Sequence, residues 1–472
     1  MLQLITKNLS AADFVSDSTN GNIDIAEFYE TLNEKLAIIQ KKYAPFITII
    51  DNPKLPKKQG ALYGLPISVK DCICTANIKT TAGSKILENY IPPFDATSVK
   101  KINESGGVII GKTAQDEFGF GTFSTNCAYE IPRNPHDPNR SCGGSSGGAG
   151  CISAAADFPH IAIAESTGGS ITAPAAFTGT VGITPTYGRV SRYGLIDYSN
   201  SMDKIGVIAK NVYDAALGLT QIAGYDPKDT TSSNIKSEKF EDYTNNNSIK
   251  GMHIGIPKEY FDNIDNRITK AVMDNVHKLE SDGAIVNEVS LNLTQYALPS
   301  YYLIAMSEAS TNLAKYSGLR YGMQNYVDGG FSEYFSDIRE KGFGREAKRR
   351  IILGTYARAA GFRDAYYMKA LKVRRLIIDE FKERFKHLDA LIAPSMPIIA
   401  PRFDEIEKLT PLENYNMDKL TIGPNMSGIP TISLPIGSIE SMPIGMQIIG
   451  DHYNESKIIR IAAIAERNLN GN

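Results

Sequence analysis

Two glycine-rich segments of the sequence each present serines in a setting suited to nucleophilic chemistry. The first, CGGSSGG, spans residues 142–148 and carries Ser145 and Ser146, and the second, TGGSI, spans residues 167–171 and carries Ser170. A serine hydroxyl becomes an effective nucleophile only when a base activates it. A glycine–serine run is also typical of a flexible linker. Both runs, however, lie between apolar segments and not within polar, disordered sequence.

Other chemistries for these motifs fit less well. No GK[ST] ending follows the glycines, which excludes a Walker phosphate loop, and Ser170 does not lie in a GxSxG nucleophile elbow. The six histidines form no HExxH pair, so the sequence predicts no metal site. A Ser–His–Asp triad stays open, but no histidine lies in a motif that recommends it. The sequence therefore favours a base other than histidine.

The candidate base is Lys70, within the segment GLPISVKD at residues 64–71. The apolar run in this segment predicts a buried strand that ends near Lys70. A lysine acts as a base only when neutral, which requires its ordinary pKa of about 10.4 to fall through burial or nearby cations. Most lysines at strand ends have only a structural role, so its position alone leaves both interpretations open.

Taken together, Lys70 and the two glycine–serine motifs resemble the amidase signature family in their order and separation. The resemblance covers nearly the whole chain, from Ala61 onward. It implies a catalytic triad of Lys70, Ser145 and Ser170, in which a cis peptide bond holds Ser145 and Ser146 supports the hydrogen-bond network. Ser170 would attack an amide carbon, Ser145 would pass its proton on, and neutral Lys70 would accept it.

The nucleophile motif also carries an expected oxyanion hole and two departures from the family pattern. Backbone N–H groups of Thr167, Gly168 and Gly169 are expected to stabilise the oxyanion. Many members of the family have Asp and Arg where this chain has Ser166 and Thr172. The triad is unaffected, but the groups that support the nucleophile loop are left open.

Several further segments resemble the A subunits of glutamyl-tRNA(Gln) amidotransferases, a branch of this family. That resemblance implies a glutaminase whose ammonia converts Glu-tRNA(Gln) to Gln-tRNA(Gln) in an ATP-dependent heterotrimer with B and C subunits. The B subunit would contact most of the charged tRNA and use ATP and Mg²⁺, so no cofactor is expected in this chain. The matching segments are residues 185–195, 201–206, 342–344, 348–351, 365–370 and 425–430.

Recognition of free glutamine requires an arginine for its α-carboxylate and a carboxylate for its α-ammonium group. The family resemblance assigns the first to Arg349 or Arg350, with Arg350 favoured, and the second to Asp418. The alternative is structural, because adjacent arginines on a helix usually form a solvated face and Asp418 could cap a helix.

Composition indicates which partners and which cell compartment this chain is expected to have. The chain has 472 residues, a formal net charge of −2 and 22% charged residues, which gives no bulk attraction to nucleic acid or acidic lipid. Its five cysteines form no CxxC pair. The N-terminus has no signal or transit pattern, and no apolar stretch reaches the ~20 residues that span a bilayer. We expect a cytoplasmic protein without membrane contact.

Apolar runs that alternate with glycine-rich turns predict buried strands in a mixed or parallel sheet. The family resemblance implies an α/β fold with a central mixed β-sheet, covered by helices on both faces. We expect an N-terminal helical segment over residues 1–55 and an amidase domain over residues 56–472. A helical insertion is predicted at about 295–385, and the helix-forming region from Gly344 to Leu388 is expected to break near Gly354 and Gly361.

Two other functions remain compatible with these motifs. A free-standing amidase that acts on small or acyl amides would share the triad, and would differ in needing neither partners nor ATP. A non-catalytic assembly subunit with a decayed pocket would belong to a different class, and the presence of Lys70, Ser145 and Ser170 argues against it.

Overall fold

A single β-sheet of eleven strands organises the computed structural model, which describes residues 9–245, 248–325 and 329–471. The strands are hydrogen-bonded in the order β1-β3-β2-β4-β6-β5-β10-β11-β9-β7-β8. They are β1 (Phe46–Ile49), β2 (Pro66–Lys70), β3 (Val108–Thr113), β4 (Ile161–Ser166), β5 (Val181–Thr184), β6 (Lys204–Ala209), β7 (His253–Pro257), β8 (Ile285–Val289), β9 (Ala390–Pro394), β10 (Thr431–Ile439) and β11 (Met442–Ile449).

The sheet is mixed. Strand β2 is parallel to β3 and β4, β7 is parallel to β8 and β9, and the remaining neighbours are antiparallel. Every residue of β2, β3, β4 and β6 is buried, which requires cover on both faces of the sheet. The predicted α/β class with a helix-covered mixed sheet is confirmed.

Fifteen α-helices accompany the sheet within the described residues. They are α1 (Ala11–Thr19), α2 (Ile25–Tyr43), α3 (Thr97–Glu104), α4 (Gly147–Ala155), α5 (Thr172–Thr178), α6 (Val212–Ile222), α7 (Asn266–Ser281), α8 (Ala297–Asn312), α9 (Phe331–Gly342), α10 (Arg345–Arg358), α11 (Lys369–Phe385), α12 (Phe403–Ile406), α13 (Pro411–Asn416), α14 (Ile422–Ser427) and α15 (Glu455–Asn470). None of the helices in the described ranges is long and apolar enough to cross a membrane.

The N-terminal segment is helical only as far as Tyr43. Helix α2 ends where Ala44 adopts a left-handed conformation with φ of 49°, immediately before Pro45. The chain then forms β1, which pairs antiparallel with β3 of the main sheet. The predicted helical segment over residues 1–55 was therefore wrong for residues 46–49, which form β1. Residues 1–8 lie outside the described residues, and the division at residue 55 stays a prediction.

Helices α8 to α11 lie between β8 and β9, where the helical insertion was predicted. The predicted break at Gly361 is present, because this residue lies between two helices. Its φ of +86° is not a helical value. The break at Gly354 is absent, because α10 runs through it. A Cβ atom at Gly354 would lie 1.8 Å from the Met306 carbonyl oxygen of α8, so this glycine permits two helices to pack closely.

A buried ion pair joins the segment after β5 to the C-terminal helix. Arg189 Nη2 contacts Glu455 Oε2 at 3.0 Å, and their side chains are 2% and 0% exposed. The other carboxylate oxygen of Glu455 accepts the Thr186 N–H at 2.8 Å. Removal of one partner from such a pair leaves an uncompensated buried charge.

We expect Arg189→Met to lower the free energy of unfolding by roughly 3–5 kcal/mol, because Glu455 loses its buried counter-charge. The matched control is Arg375→Met, since Arg375 pairs with Asp379 while the two side chains are 67% and 46% exposed. That change should stay within about 0.5 kcal/mol. Chemical denaturation of the two variants checks this, and equal losses would contradict it.

Candidate active site

The two motifs identified in the sequence meet at one edge of the sheet. Strands β2 and β4 are parallel neighbours, so their carboxyl ends lie side by side. Lys70, the last residue of β2, is fully buried, and its Nζ donates to Ser145 Oγ at 2.7 Å. The same nitrogen also contacts Glu165 Oε2 at 2.8 Å and the Glu165 carbonyl oxygen at 3.1 Å. The predicted Lys70–Ser145 contact is therefore present.

The loop that carries Ser145 is fixed from both sides. The peptide bond between Gly144 and Ser145 is cis. Ser124 Oγ donates to the Gly143 carbonyl at 2.9 Å, and Asp116 Oδ2 accepts the Ser124 N–H at 2.9 Å. A Cβ atom at Gly144 would lie 2.3 Å from Asp116 Oδ2. The glycine thus lets the carboxylate approach the backbone that presents Ser145.

Ser146 contacts the backbone near the end of β4. Its hydroxyl donates to the Glu165 carbonyl at 2.9 Å and is buried. That carbonyl also accepts from Lys70. Ser146 therefore ties the first glycine–serine motif to the end of β4, a geometry that fits its predicted supporting role.

The loop that carries Ser170 requires glycine at both positions before this serine. A Cβ atom would lie 2.5 Å from the Tyr301 hydroxyl at Gly168 and 2.1 Å from Thr421 Oγ1 at Gly169. Gly169 also has φ of +143°, a conformation that L side chains rarely adopt. Thr421 Oγ1 donates to the Gly168 carbonyl at 2.6 Å. The loop is therefore held against the segment that leads into α14.

Ser166, which stands where many family members have Asp, is part of this support. Its hydroxyl donates to Asn425 Oδ1 on α14 at 3.1 Å and accepts the Gly169 N–H at 3.2 Å. The Gly169 N–H is therefore engaged, while Thr167 and Gly168 remain predicted oxyanion donors. The Thr172 hydroxyl is buried and has no hydrogen-bond partner among the described residues.

Ser170 borders a small cavity. Its side chain is 8% exposed, and the cavity has a volume of about 10 Å³. The remaining lining residues combine backbone glycines, two tyrosines and two oppositely charged side chains. They are Gly119, Gly121, Gly168, Gly169, Tyr301, Tyr302, Arg350 and Asp418. Arg350 and Gly121 also line a larger pocket that lies outside this cavity.

The structure separates the two candidate arginines. Arg350 is 3% exposed, its guanidinium lies 5.0–5.5 Å from four aromatic ring centres, and its Nε contacts Glu346 Oε1 at 2.8 Å. Arg349 pairs with the other oxygen of Glu346 and lines only the outer pocket. Of the two, Arg350 is therefore the one beside Ser170.

Asp418 also lines the cavity, and its charge is opposite to that of Arg350. Its Oδ2 accepts a hydrogen bond from the Tyr302 hydroxyl at 2.8 Å. Burial raises the pKa of Asp418 to about 6, while the Tyr302 hydroxyl and the positive charge of Arg350 act in the lowering direction. The carboxylate form therefore predominates at neutral pH.

Glu117 is a site-supporting residue that the sequence did not indicate. It accepts the Gly344 N–H, at the start of α10, with distances of 2.9 and 3.1 Å to its two oxygens, and Ser84 Oγ donates to it at 2.5 Å. Burial raises its pKa from 4.5 to about 7. Because α10 carries Arg350, Glu117 helps to position that guanidinium. A lone glutamate in a loop carries no sequence signal of this role.

Metal ligation has no visible basis in the part of the chain that the structure describes. Across residues 9–245, 248–325 and 329–471, no group of three or more His, Cys, Asp or Glu side chains could hold a metal ion.

Comparisons with known proteins match the chain along almost its whole length. The family model described as Amidase matches residues 30–459. The A subunit of glutamyl-tRNA(Gln) amidotransferase from Carboxydothermus hydrogenoformans is 44% identical, over 98% of this chain and 97% of that protein. The protein of the same name from Sulfurisphaera tokodaii is 42% identical, over 97% of each chain.

Solved structures agree with the sequence relatives. The crystal structure of the A subunit of glutamyl-tRNA(Gln) amidotransferase from Thermotoga maritima superposes with a TM-score of 0.81 and 35% identity, covering 98% of this chain and 95% of that one.

The titration of Glu117 makes stability depend on pH. A carboxyl whose pKa is raised by folding contributes stability that is complete below its unfolded pKa and is lost as pH rises through the folded value. From pH 5 to pH 8, the free energy of unfolding should fall in the wild type as Glu117 loses its proton. In Glu117→Gln we expect this fall to be smaller by about 2–3 kcal/mol. Chemical denaturation at both pH values checks this, and identical losses would contradict it.

Proposed function

Because this chain belongs to the amidase family, we propose that it is the glutamine-hydrolysing A subunit of a glutamyl-tRNA(Gln) amidotransferase, with Ser170, Ser145 and Lys70 as its catalytic residues. The observation that carries the chemistry is the buried hydrogen bond of Lys70 to Ser145 beside the cavity that Ser170 borders. Similarity to proteins of that name over 98% of the chain supports the choice of substrate and complex.

The proposed reaction begins with attack of Ser170 Oγ on the side-chain amide carbon of glutamine. The hydroxyl proton passes to Ser145 and from there to Lys70, and the C–O bond forms as the carbonyl becomes an oxyanion. Backbone N–H groups of the nucleophile loop stabilise that oxyanion, typically by ~3–4 kcal/mol per donor. The C–N bond then breaks with return of the proton, ammonia leaves, and water hydrolyses the acyl-enzyme to glutamate.

The charges on the cavity wall suit the backbone end of free glutamine. Arg350 would bind the α-carboxylate and Asp418 the α-ammonium group, since each is the charge complement of its partner. The aromatic rings around Arg350 limit its movement and exclude water. Binding these two groups at the backbone end would place the side-chain amide within reach of Ser170.

The released ammonia is proposed to serve a reaction outside this chain. In the proposed heterotrimer, it passes to the B subunit, where ATP and Mg²⁺ activate the carboxylate of Glu-tRNA(Gln), and the C subunit holds the other two together. With a net charge of −2, this chain has no bulk attraction to tRNA. Contact with the charged tRNA is therefore assigned mainly to the B subunit.

We expect Ser170→Ala to lower glutaminase activity by at least about 10³-fold, because the attacking oxygen is lost. Ammonia release from glutamine is measured with the chain alone and with candidate B and C subunits. The matched control is Ser98→Ala, which removes a buried hydroxyl that has no hydrogen-bond partner among the described residues. Cleavage of simple amides by the chain alone, with glutamine untouched in the complex, would instead indicate a free-standing amidase.

The two arginines should differ in their effect on glutamine binding. We expect Arg350→Lys to raise KM for glutamine about 10- to 100-fold, because a lysine cannot reproduce the bidentate contact to a carboxylate. Arg349→Lys should change KM less than about 3-fold, since Arg349 lies outside the cavity. Steady-state kinetics of the assembled complex decide the assignment, and the reverse order of effects would transfer the role to Arg349.

A further inference from the structure

The amine of Lys70 contacts a buried carboxylate in addition to Ser145. Lys70 Nζ and Glu165 Oε2 are 2.8 Å apart, and their side chains are 0% and 4% exposed. Within the proposed mechanism, a lysine must be neutral to accept a proton, yet an ordinary lysine is almost entirely protonated at neutral pH. The carboxylate of Glu165 is in direct contact with the ammonium group and can accept a proton from it.

A second buried acid stands behind this carboxylate. Thr167 Oγ1 lies 2.8 Å from Glu165 Oε1 and 2.8 Å from Asp203 Oδ1. A hydroxyl has one proton to donate, so it can satisfy two carboxyl groups together only when one of them is protonated. Burial raises the pKa of Asp203 well above its usual range, and the nearby charge of Glu165 adds to the effect. Asp203 also accepts the backbone N–H groups of Tyr198 and Ser199. The Thr167 hydroxyl therefore links two buried acids that share a limited supply of protons.

Hydrogen bonds connect these groups to the proposed triad. Thr167 Oγ1 lies 2.8 Å from both Glu165 and Asp203, and Lys70 donates both to Glu165 and to Ser145. The Glu165 carboxylate is therefore the acidic group in direct contact with the Lys70 amine. No group in the proposed triad other than Lys70 competes with it for the proton.

We propose that Glu165, acting through Lys70, is the final acceptor of the proton that leaves Ser170. Lys70 transfers one proton to Glu165 Oε2, and its freed lone pair takes the proton of Ser145, which in turn takes that of Ser170. The net change is loss of the Ser170 O–H bond and formation of a Glu165 O–H bond, while Lys70 ends as an ammonium group. When the C–N bond breaks, the same path returns the proton to the leaving nitrogen.

This inference rests on the proposed function, since it assumes that Ser170 is the nucleophile. The charged or titratable groups that face Glu165 are Lys70 and Cys72 from the β2 side and Asp203 from the β6 side. The alternative for Glu165 is a purely structural ion pair that fixes the Lys70 side chain. The two roles differ in how the reactivity of Ser170 depends on pH.

The test compares wild type with Glu165→Gln, which keeps an acceptor for Lys70 but removes the basic oxygen. A fluorophosphonate probe labels Ser170 between pH 6 and 10, and mass spectrometry gives the rate without need of glutamine or partners. At pH 7.5 we expect a loss of at least about 100-fold, together with a midpoint more than one pH unit higher, because Lys70 must now lose a proton to solvent. Glu165→Asp should recover at least ten-fold of this loss.

The control is Glu466→Gln, which alters a half-buried carboxylate on α15 that accepts the Val212 N–H and should leave the labelling rate unchanged. A Glu165→Gln rate and midpoint equal to wild type would overturn the inference, as would a slower rate with an unshifted midpoint. Failure of the wild type to label at Ser170 would instead overturn the proposed nucleophile, and the relay with it.

A measurement on the wild-type chain covers the case in which Glu165→Gln does not fold. A boronic acid forms a tetrahedral adduct with a nucleophilic serine and leaves the serine proton on the base. The infrared difference spectrum of this adduct should gain the C=O band of one newly protonated carboxyl group. Formation of the adduct at Ser170 without such a band would overturn the role of Glu165.

Discussion

An amine that is closed off from water must find all its partners inside the protein, and Lys70 is in that position. Desolvation of an ammonium group costs several kcal/mol unless charge and hydrogen bonds compensate it. Ser145 Oγ, the Glu165 backbone carbonyl oxygen and Glu165 Oε2 supply three acceptors, which match the three protons of the ammonium group. Satisfying this one amine requires β2, β4 and the loop before α4 to meet at a single point.

The parallel pairing of β2 with β4 creates this meeting point, and remote segments keep it in place. Ser166 and the glycines before Ser170 are held by Asn425 and Thr421, more than 250 positions later in the chain. The start of α10, with Arg350, is held by Glu117 from the loop after β3. The site is therefore held by hydrogen bonds from segments that are far apart in sequence, the loop after β3 and the segment before β10. Such second-layer contacts fix side chains that catalysis needs in one geometry.

Sequence reasoning located the residues that lie in local motifs. Lys70 and Ser145 are brought together as the motifs indicated. The apolar runs predicted buried strands but left mixed and parallel sheets open, and the family resemblance implied the mixed sheet that is present. Glu117 and Asn425 could not be found this way, because their partners are distant in sequence and no spacing records the contact. Gly354 shows that a local signal can also mislead. A glycine in a helix predicts a break, whereas this one permits close packing of α10 on α8.

Glu165 lies beside a local motif, but its partner Lys70 is distant in sequence. Its contact with Lys70 depends on strand register. This register places Val69 opposite Ile163, so that Glu165 lies one residue beyond the position level with Lys70. A shift of one residue would turn the carboxylate to the other face of the sheet. The amine would then face Ser145 without a counter-charge, in a site that excludes water. Register, more than the identity of Lys70 alone, therefore determines whether this buried amine has a counter-charge.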